Sequence, residues 1–452
     1  MSRFRMCSTS EAVGDGVRPV AQELTVHRPP VTGRIPEELD GSLLAIGPNP
    51  LGRAEAGRQH AFAGDGMVQG IRLRDGRAEW YRNRWLRTDR VSRELGELPT
   101  PGPRHGLSDN ANANLVSHAG RTLALGDGGI LPIEVGPELE TVARVDFDGT
   151  LPNGFSAHPS RDQLTGELHA VAYYHELPHV SLLTVDVQGR VRSSVPITVK
   201  KPSMMHAFSV TDRHSVLYDL PVTFNPEAAR QGSRVPYTWD ENYGARLGVL
   251  PLGGGDADVL WMDIDPCYVF HPVNAYESGR HIVLDVIRHQ RVFDRDRLRP
   301  GESAPALWRW TVDTLSGTVV EEQLADFVEE FPRIDERYQG APHRYAFGVR
   351  LRPGQGGALA GPALLRHDLV AGRTAEHRFG PGREGGEAVF VARDARAPEG
   401  DGWLLSLVYD AATDRSELVV LDTADFTGPP VAVVQLPVRV PHAFHAHWSP
   451  AR

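Results

Sequence analysis

Cysteine is nearly absent: the 452 residues contain two, Cys7 and Cys267. That excludes a disulfide framework and a thiolate metal site, and it makes a reducing cytoplasm the expected location. Lysine is scarce as well. With a net charge of −10 and no basic run, the chain lacks the clustered cations of a nucleic-acid surface, so nucleic acid is not an expected partner. No stretch approaches the roughly 18 consecutive apolar residues of a membrane-spanning helix, and the first residues, MSRFRMCSTSEAVGDGVRP, hold no apolar signal-peptide core. The expectation is a soluble chain, with peripheral membrane contact left open. Also missing are a phosphate-binding loop, a G-x-S-x-G elbow, an H-E-x-x-H pair and a Gly-rich dinucleotide fingerprint after a strand.

What is plentiful is turn chemistry, with 46 Gly and 35 Pro. Short apolar runs are joined by small polar turns: Asp75-Gly76-Arg77, Ala119-Gly120-Arg121, Thr165-Gly166-Glu167, Gln188-Gly189-Arg190, Thr211-Asp212-Arg213, Ser278-Gly279-Arg280, Ser316-Gly317-Thr318, Ala371-Gly372-Arg373 and Thr413-Asp414-Arg415. Each reads as a β-hairpin. Hairpins recurring without βαβ alternation favour radial repetition, and at roughly 40–60 residues per four-stranded blade the length suits about seven blades. The expected fold is all-β, a seven-bladed β-propeller. Residues 1–20 are expected as a flexible tail and 21–452 as a single domain whose first strand begins near Gly41. Two stretches, 222–250 and 290–303, are too long for blade turns and are expected to cap one face. Pro221 to Phe224, with Tyr237 and Trp239, are candidates for an apolar rim that could touch lipid.

The chain has 19 histidines, and most need no special role; His169, His175, His179, His214, His281 and His289 are read as ordinary. Four share a distinct setting, next to Phe at the ends of apolar runs: Phe155-Ser156-Ala157-His158-Pro159, Met204-Met205-His206-Ala207-Phe208, Phe270-His271-Pro272 and Phe444-His445. Because Pro cannot donate to a ladder, His271 is read as sitting where a strand stops. Four neutral imidazoles without thiolate suit Fe(II), Zn(II) or Cu(II), and room left on the metal points to redox chemistry with O2. Metal-bound imidazoles usually donate their second N–H to a carboxylate. Asp127, Glu330 and Glu387 lie in apolar settings that suit this, although composition alone favours reading each as a solvated acid. Aromatics near the metal, Phe208, Phe270 and Phe444, are candidate lining of a substrate tunnel, with ordinary propeller core as the competing reading.

These residues sit within motifs that resemble the carotenoid cleavage oxygenases: GPNP at 47–50, GDGM at 64–67, YRNRWLRT at 81–88, AHPSRDQLTGELH at 157–169, MMHAF at 204–208, EFPRIDERY at 330–338, DGWLLSLVYD at 401–410 and FHAHW at 444–448. The resemblance spans about Arg34 to Trp448. It implies a seven-bladed propeller holding one Fe(II) per chain on His158, His206, His271 and His445, with Glu330 and Glu387 behind His271 and His445, and Asp127 behind His206. His442 and His447 crowd the fourth position, where the motif favours His445. The implied activity is O2-dependent cleavage of a conjugated C=C bond of a carotenoid or apocarotenoid into two carbonyl products. Its substrates would be O2 and an apolar polyene, and no protein partner is implied.

The departures carry expectations of their own. Asp127 stands where the family commonly has Glu, one methylene longer, so its contact with a ligand imidazole is expected to be stretched or water-bridged. Ala207 follows His206 where Asp is common. Ala113 replaces a frequent Thr that crowds an open metal position. Gly126 stands where similar stilbene-cleaving enzymes carry a Lys that grips a phenol, which disfavours a phenolic stilbene. The rival readings are cleavage of a stilbenoid or phenylpropanoid alkene, isomerisation on the same scaffold, and a non-catalytic binding propeller whose histidines are structural.

Overall fold

The hairpin turns set the architecture. In the computed structural model, which describes residues 18–52, 62–105, 108–296, 301–441 and 443–451, all nine of them join neighbouring antiparallel strands. At two of these turns, successive residues take positive φ, 49° and 66° at Asp75-Gly76 and 48° and 78° at Ala119-Gly120. That geometry matches the twist of the flanking strands. The strands form seven blades around an axis. Blades 2 to 6 follow in chain order through residues 114–144, 160–198, 208–264, 268–323 and 329–378.

Closure of the ring uses both ends of the chain. Val31–Gly33 adds to blade 7 by pairing with Ala432–Gln435. The last strand, His445–Pro450, adds to blade 1 by pairing with Gly41–Pro48, which places Ile46 opposite His445. Burial follows from the stacking of blades. In His281–His289 every residue from Ile282 to Ile287 is buried, because blades pack on both faces. The outermost strand of blade 3, Val191–Thr198, largely alternates between partly and fully exposed residues, as an edge with one wet face should.

The cap differs from expectation in extent. Its core is a two-stranded ribbon, Val222–Phe224 paired with Tyr237–Trp239. A short helix, Pro226–Arg230, lies between them, capped by the Asn225 side chain accepting from the Glu227 and Ala228 N–H groups. The expected segment 222–250 overruns this excursion, since Ala245–Pro251 is a blade-4 strand hydrogen-bonded on both sides. The second segment meets the ribbon where Trp239 N–H donates to Phe293 O at 3.2 Å; its residues 297–300 lie outside the described residues, as do 1–17 of the expected tail. A further cap element went unforeseen: the helix Asp89–Leu95, started by Thr88 accepting from Val91 N–H and ended by Gly96 at φ 70°. The proposed apolar rim needs correcting. Pro221, Val222, Thr223 and Tyr237 are buried, and Phe224 and Trp239 half-buried, because the ribbon packs these side chains against the blade-4 and blade-5 core. Among the described residues no helix is long and apolar enough to cross a membrane.

The seam between blades 7 and 1 is apolar. Leu43, 2 % exposed, packs there with Ile71, Leu405, Leu418 and Val434. Leu43→Ala should cost about 2–5 kcal/mol, whereas Leu98→Ala, at a residue 89 % exposed, should stay within about 0.5 kcal/mol. Urea denaturation midpoints check this, and equal midpoints for the two variants would show that the seam is not tightly packed.

Candidate metal centre

The edge strand of each blade nearest the axis carries the chemistry. His158 lies two residues ahead of Ser160–Arg161 in blade 3, and His206 two residues ahead of Phe208–Val210 in blade 4. His271 is the fourth residue of Tyr268–Ser278 in blade 5, and His445 opens His445–Pro450 in blade 1. The strand does not stop at His271 as expected. It continues through Pro272, with register shifts on either side of that residue. Pro272 is tolerated because an edge strand at a bulge needs no N–H there, and the bulge re-aims the imidazole.

The four rings converge. Centroid separations from His158 are 4.3 Å to His206, 5.2 Å to His271 and 4.8 Å to His445. His271 lies 5.4 Å from His206 and 4.7 Å from His445. Donor atoms of His158, His271 and His445 all fall within 4.8 Å of one another, and His206 completes the ring beside them. The Nε2 atoms of His158 and His271 are buried without a hydrogen-bond partner. Two bare imidazole nitrogens aimed at a common point cost free energy unless something there accepts their lone pairs. A cation does.

Three carboxylates answer three of the imidazoles. His271 donates through Nδ1 to Glu330 Oε2 at 2.6 Å, and His445 through Nδ1 to Glu387 Oε1 at 3.0 Å. His206 Nδ1 donates directly to Asp127 Oδ2, so the expected stretched or water-bridged contact is not found. The shorter side chain reaches because the blade-2 loop comes close to the axis, where Ala157 N–H also donates to Asp127 Oδ1 at 3.3 Å. With each Nδ1–H committed to an acid, Nε2 is left as the lone-pair donor. Burial pulls His158 well below the ordinary imidazole value, helped by the neighbouring histidines. Burial also lowers His445 against the opposing Glu387 charge. At His271 the burial effect is outweighed by Glu330, and the value rises. Glu387 is held below its usual range although burial alone would raise it, chiefly because Arg333 and His445 stabilise its charge. Two buried acids and the half-buried Asp127 against one arginine leave an excess of negative charge that a divalent cation would balance.

Two cavities meet at this ring. The larger, about 630 Å³, opens under the cap and touches all four histidines. Around the metal position its walls are Phe62, Tyr173, Phe270, Phe331 and Phe444, with Ala113 beside them. Phe62 stands edge-on to Phe270 at 6.2 Å and to Phe444 at 5.5 Å. The smaller, about 210 Å³, runs along the axis on the other side and reaches His158, His271 and His445 among Arg161, Arg333, Glu336 and Asn274. Phe208 belongs to this polar channel and not to the apolar cavity, a correction to the tunnel assignment. Two residues past its ligand, the strand has already turned away from the cap.

Of the crowded C-terminal histidines, His442 lies outside the described residues. His447 pairs through Nε2 with Ser117 Oγ at 2.9 Å, and burial lowers its pKa to about 4. His289, read as ordinary, instead shares Glu330 with His271. Tyr173, Phe331 and Phe62, which share the cavity wall, were also missed. A lone aromatic in a propeller sequence carries no signal that separates cavity wall from core.

Comparison with known proteins adds the remaining evidence. Residues 17–450 match the family described as retinal pigment epithelial membrane protein. A carotenoid cleavage oxygenase of Mycobacterium tuberculosis is 42 % identical, with 96 % of each chain covered. The isoeugenol monooxygenase of Pseudomonas nitroreducens is 30 % identical, over 93 % of this chain and 94 % of the relative. Among solved structures, the lignostilbene dioxygenase of Pseudomonas brassicacearum superposes with a TM-score of 0.88 at 26 % identity, covering 99 % of this chain and all of that one. Cobalt-substituted Synechocystis apocarotenoid oxygenase superposes with a TM-score of 0.86 at 28 % identity, covering 96 % of this chain and 98 % of that one. Matched over residues 17–450 in sequence and superposed over nearly all its length on such oxygenases, the chain belongs to the retinal pigment epithelial membrane protein family of carotenoid cleavage oxygenases.

Proposed function

We propose that the chain is an Fe(II)-dependent oxygenase that cleaves a conjugated C=C bond of a carotenoid or apocarotenoid with O2, giving two carbonyl products. The observation that carries this reading is the ring of four imidazoles, three backed by carboxylates and two with bare buried Nε2 atoms, at the floor of an aromatic cavity. His158, His206, His271 and His445 would hold one iron per chain. Bound there, Fe(II) would supply the open positions and the O2 activation that no side chain provides.

The protein's part is orientation. Asp127, Glu330 and Glu387 fix the tautomer and tilt of three ligand rings, so the donor set is assembled before substrate arrives. The aromatic walls bury an apolar alkene and exclude water, and their edges fix which double bond lies next to the metal. Ala113 leaves space where a larger side chain would intrude. The lignostilbene and isoeugenol relatives favour a second reading, an aryl alkene substrate. Against a phenol grip at position 126, Gly126 carries no side chain, and a Cβ there would meet Asn110 O at 3.0 Å and Ile130 Cδ1 at 3.1 Å, so those neighbours would have to give way to a larger residue.

Three outcomes are expected. Anaerobically iron-loaded protein given O2 and a panel of apocarotenoids, carotenoids and stilbenes should bleach a polyene and release aldehydes identifiable by mass spectrometry; turnover of stilbenes alone would transfer the assignment to the second reading. Replacing any one of His158, His206, His271 or His445 by Ala should abolish turnover and reduce bound iron measured by elemental analysis, while His447→Ala keeps its iron. Two ligand variants with full iron would sink the ligand set. Because Asp127 already reaches His206, the extra methylene of Asp127→Glu would push the carboxylate past that contact and turn the imidazole aside. Iron should then leave faster under chelator challenge, and slower release would restore the idea that the native contact is too long.

A further inference from the structure

The three acids are anchored differently. In Asp127 and Glu387 the oxygen turned away from the ligand imidazole accepts a backbone N–H, from Ala157 at 3.3 Å and Ala446 at 2.7 Å respectively. In Glu330 that oxygen, Oε1, accepts from a side chain, His289 Nε2, at 2.9 Å. Both partners are deeply buried, His289 at 1 % and Glu330 at 3 % exposure. The backbone offers Glu330 little else. The ladder shifts register between Glu330 and Arg333, and Phe331 sits at φ 56°, a region that is strained for a bulky residue. Its N–H donates to Oε2, the oxygen already facing His271.

We propose that His289 is a positioning residue of the metal centre, holding Glu330 so that His271 presents Nε2 to the ion. Like the function itself, this rests on the reading that the four imidazoles bind a divalent metal. The tautomers are consistent with it. An ionised Glu330 only accepts, so His271 donates through Nδ1 and His289 through Nε2. Nδ1 of His289 is then a bare acceptor, and it is a buried nitrogen without a partner. His289 has a second hold on the site through Phe270, whose ring stands edge-on to it at 5.1 Å and to His206 at 5.5 Å. One imidazole therefore braces both the acid behind His271 and the aromatic wall between two ligands. Removing it strands Oε1 in a dry site, which is unfavourable unless the carboxylate rotates away from His271.

Cobalt(II) binding gives the test, because its visible ligand-field spectrum reports donor geometry without turnover. His289→Leu should release Co(II) about 10–100-fold faster under chelator challenge, as expected for loss of an outer partner of a ligand, with a shifted spectrum. His289→Gln, which can still donate to Oε1, should recover most of both. In a Glu330→Gln background, His289→Leu should add little, since its route is already cut. If His289→Leu fails to fold, His289→Asn, whose amide is too short to reach Oε1, provides the same cycle alone and with Glu330→Gln. Unchanged release and spectrum in the folded variants, or fully additive effects with Glu330→Gln, would overturn the proposal while leaving the ligand set standing. A wild-type protein that binds no Co(II) would instead overturn the metal reading and this proposal with it.

Discussion

Charge balance at the axis is the constraint on which the site depends. Glu330 and Glu387 are almost completely buried, and Asp127 faces the same ring. Carboxylates in such a setting either protonate or find cationic and N–H partners, because an isolated buried charge costs far more than any fold can offset. Here each finds an imidazole N–H, and each has a further anchor: Ala157 N–H, His289, or Ala446 N–H with Arg333. The anchors stop short of neutralising three negative charges, and the four imidazole rings, with the donor atoms of His158, His271 and His445 within 4.8 Å of one another, surround the place where a cation would complete the balance. Acid, imidazole and ion are thus one electrostatic unit, and no member explains its neighbours' burial alone.

Ring closure is what makes that unit rigid. Propeller blades radiate, so the edge strands nearest the axis bring side chains from distant parts of the chain within a few ångströms of each other. The site draws on blades 1, 3, 4 and 5 for imidazoles and on the segments near blades 2, 6 and 7 for acids. Every blade or its entry loop contributes one group. Pairing of His445–Pro450 with Gly41–Pro48 therefore does two jobs: it closes the ring and delivers the fourth imidazole. Loosening the seam would both destabilise the fold and move His445, so stability and the placement of that imidazole are coupled through one strand.

Much of this was legible in the chain. Turn residues mark hairpins because positive φ demands them, and every hairpin named from Asp75-Gly76 to Asp414 forms. The four histidines that converge stood out by shared context and motif, and Glu330 and Glu387 lie behind the rings assigned to them. What stayed hidden depends on distance in space. Asp127 looked too short because side-chain length is visible in sequence, whereas the path of the loop that carries it is not. His271-Pro272 read as a strand end because proline's missing N–H is local knowledge, while an edge position that needs no donor is not. Phe208 and Phe270 read alike, yet one lines a polar channel and the other the apolar cavity. His289 has nothing local to separate it from a dozen ordinary histidines. Its role comes from Glu330, which lies 41 positions away in the chain.

The division of labour between propeller and cap follows from the same geometry. Donor atoms need sub-ångström placement, and they come from strands or from residues next to strands that pack on both faces. The cavity above them is walled largely by segments outside the blades: Phe62, the helix Asp89–Leu95 and its flanks, and the ribbon that ends in Tyr237–Trp239. Those segments are tied to the scaffold by contacts such as Phe224 N–H to Pro202 O and Arg90 to Asp65, and to each other by Trp239 N–H to Phe293 O. Substitutions there can reshape the cavity without disturbing a single ligand or acid. Such a plan suits a family whose members are named for carotenoid, lignostilbene and isoeugenol substrates, because the converging imidazoles come from the blades while much of the cavity wall above them comes from segments that can change without moving the blades.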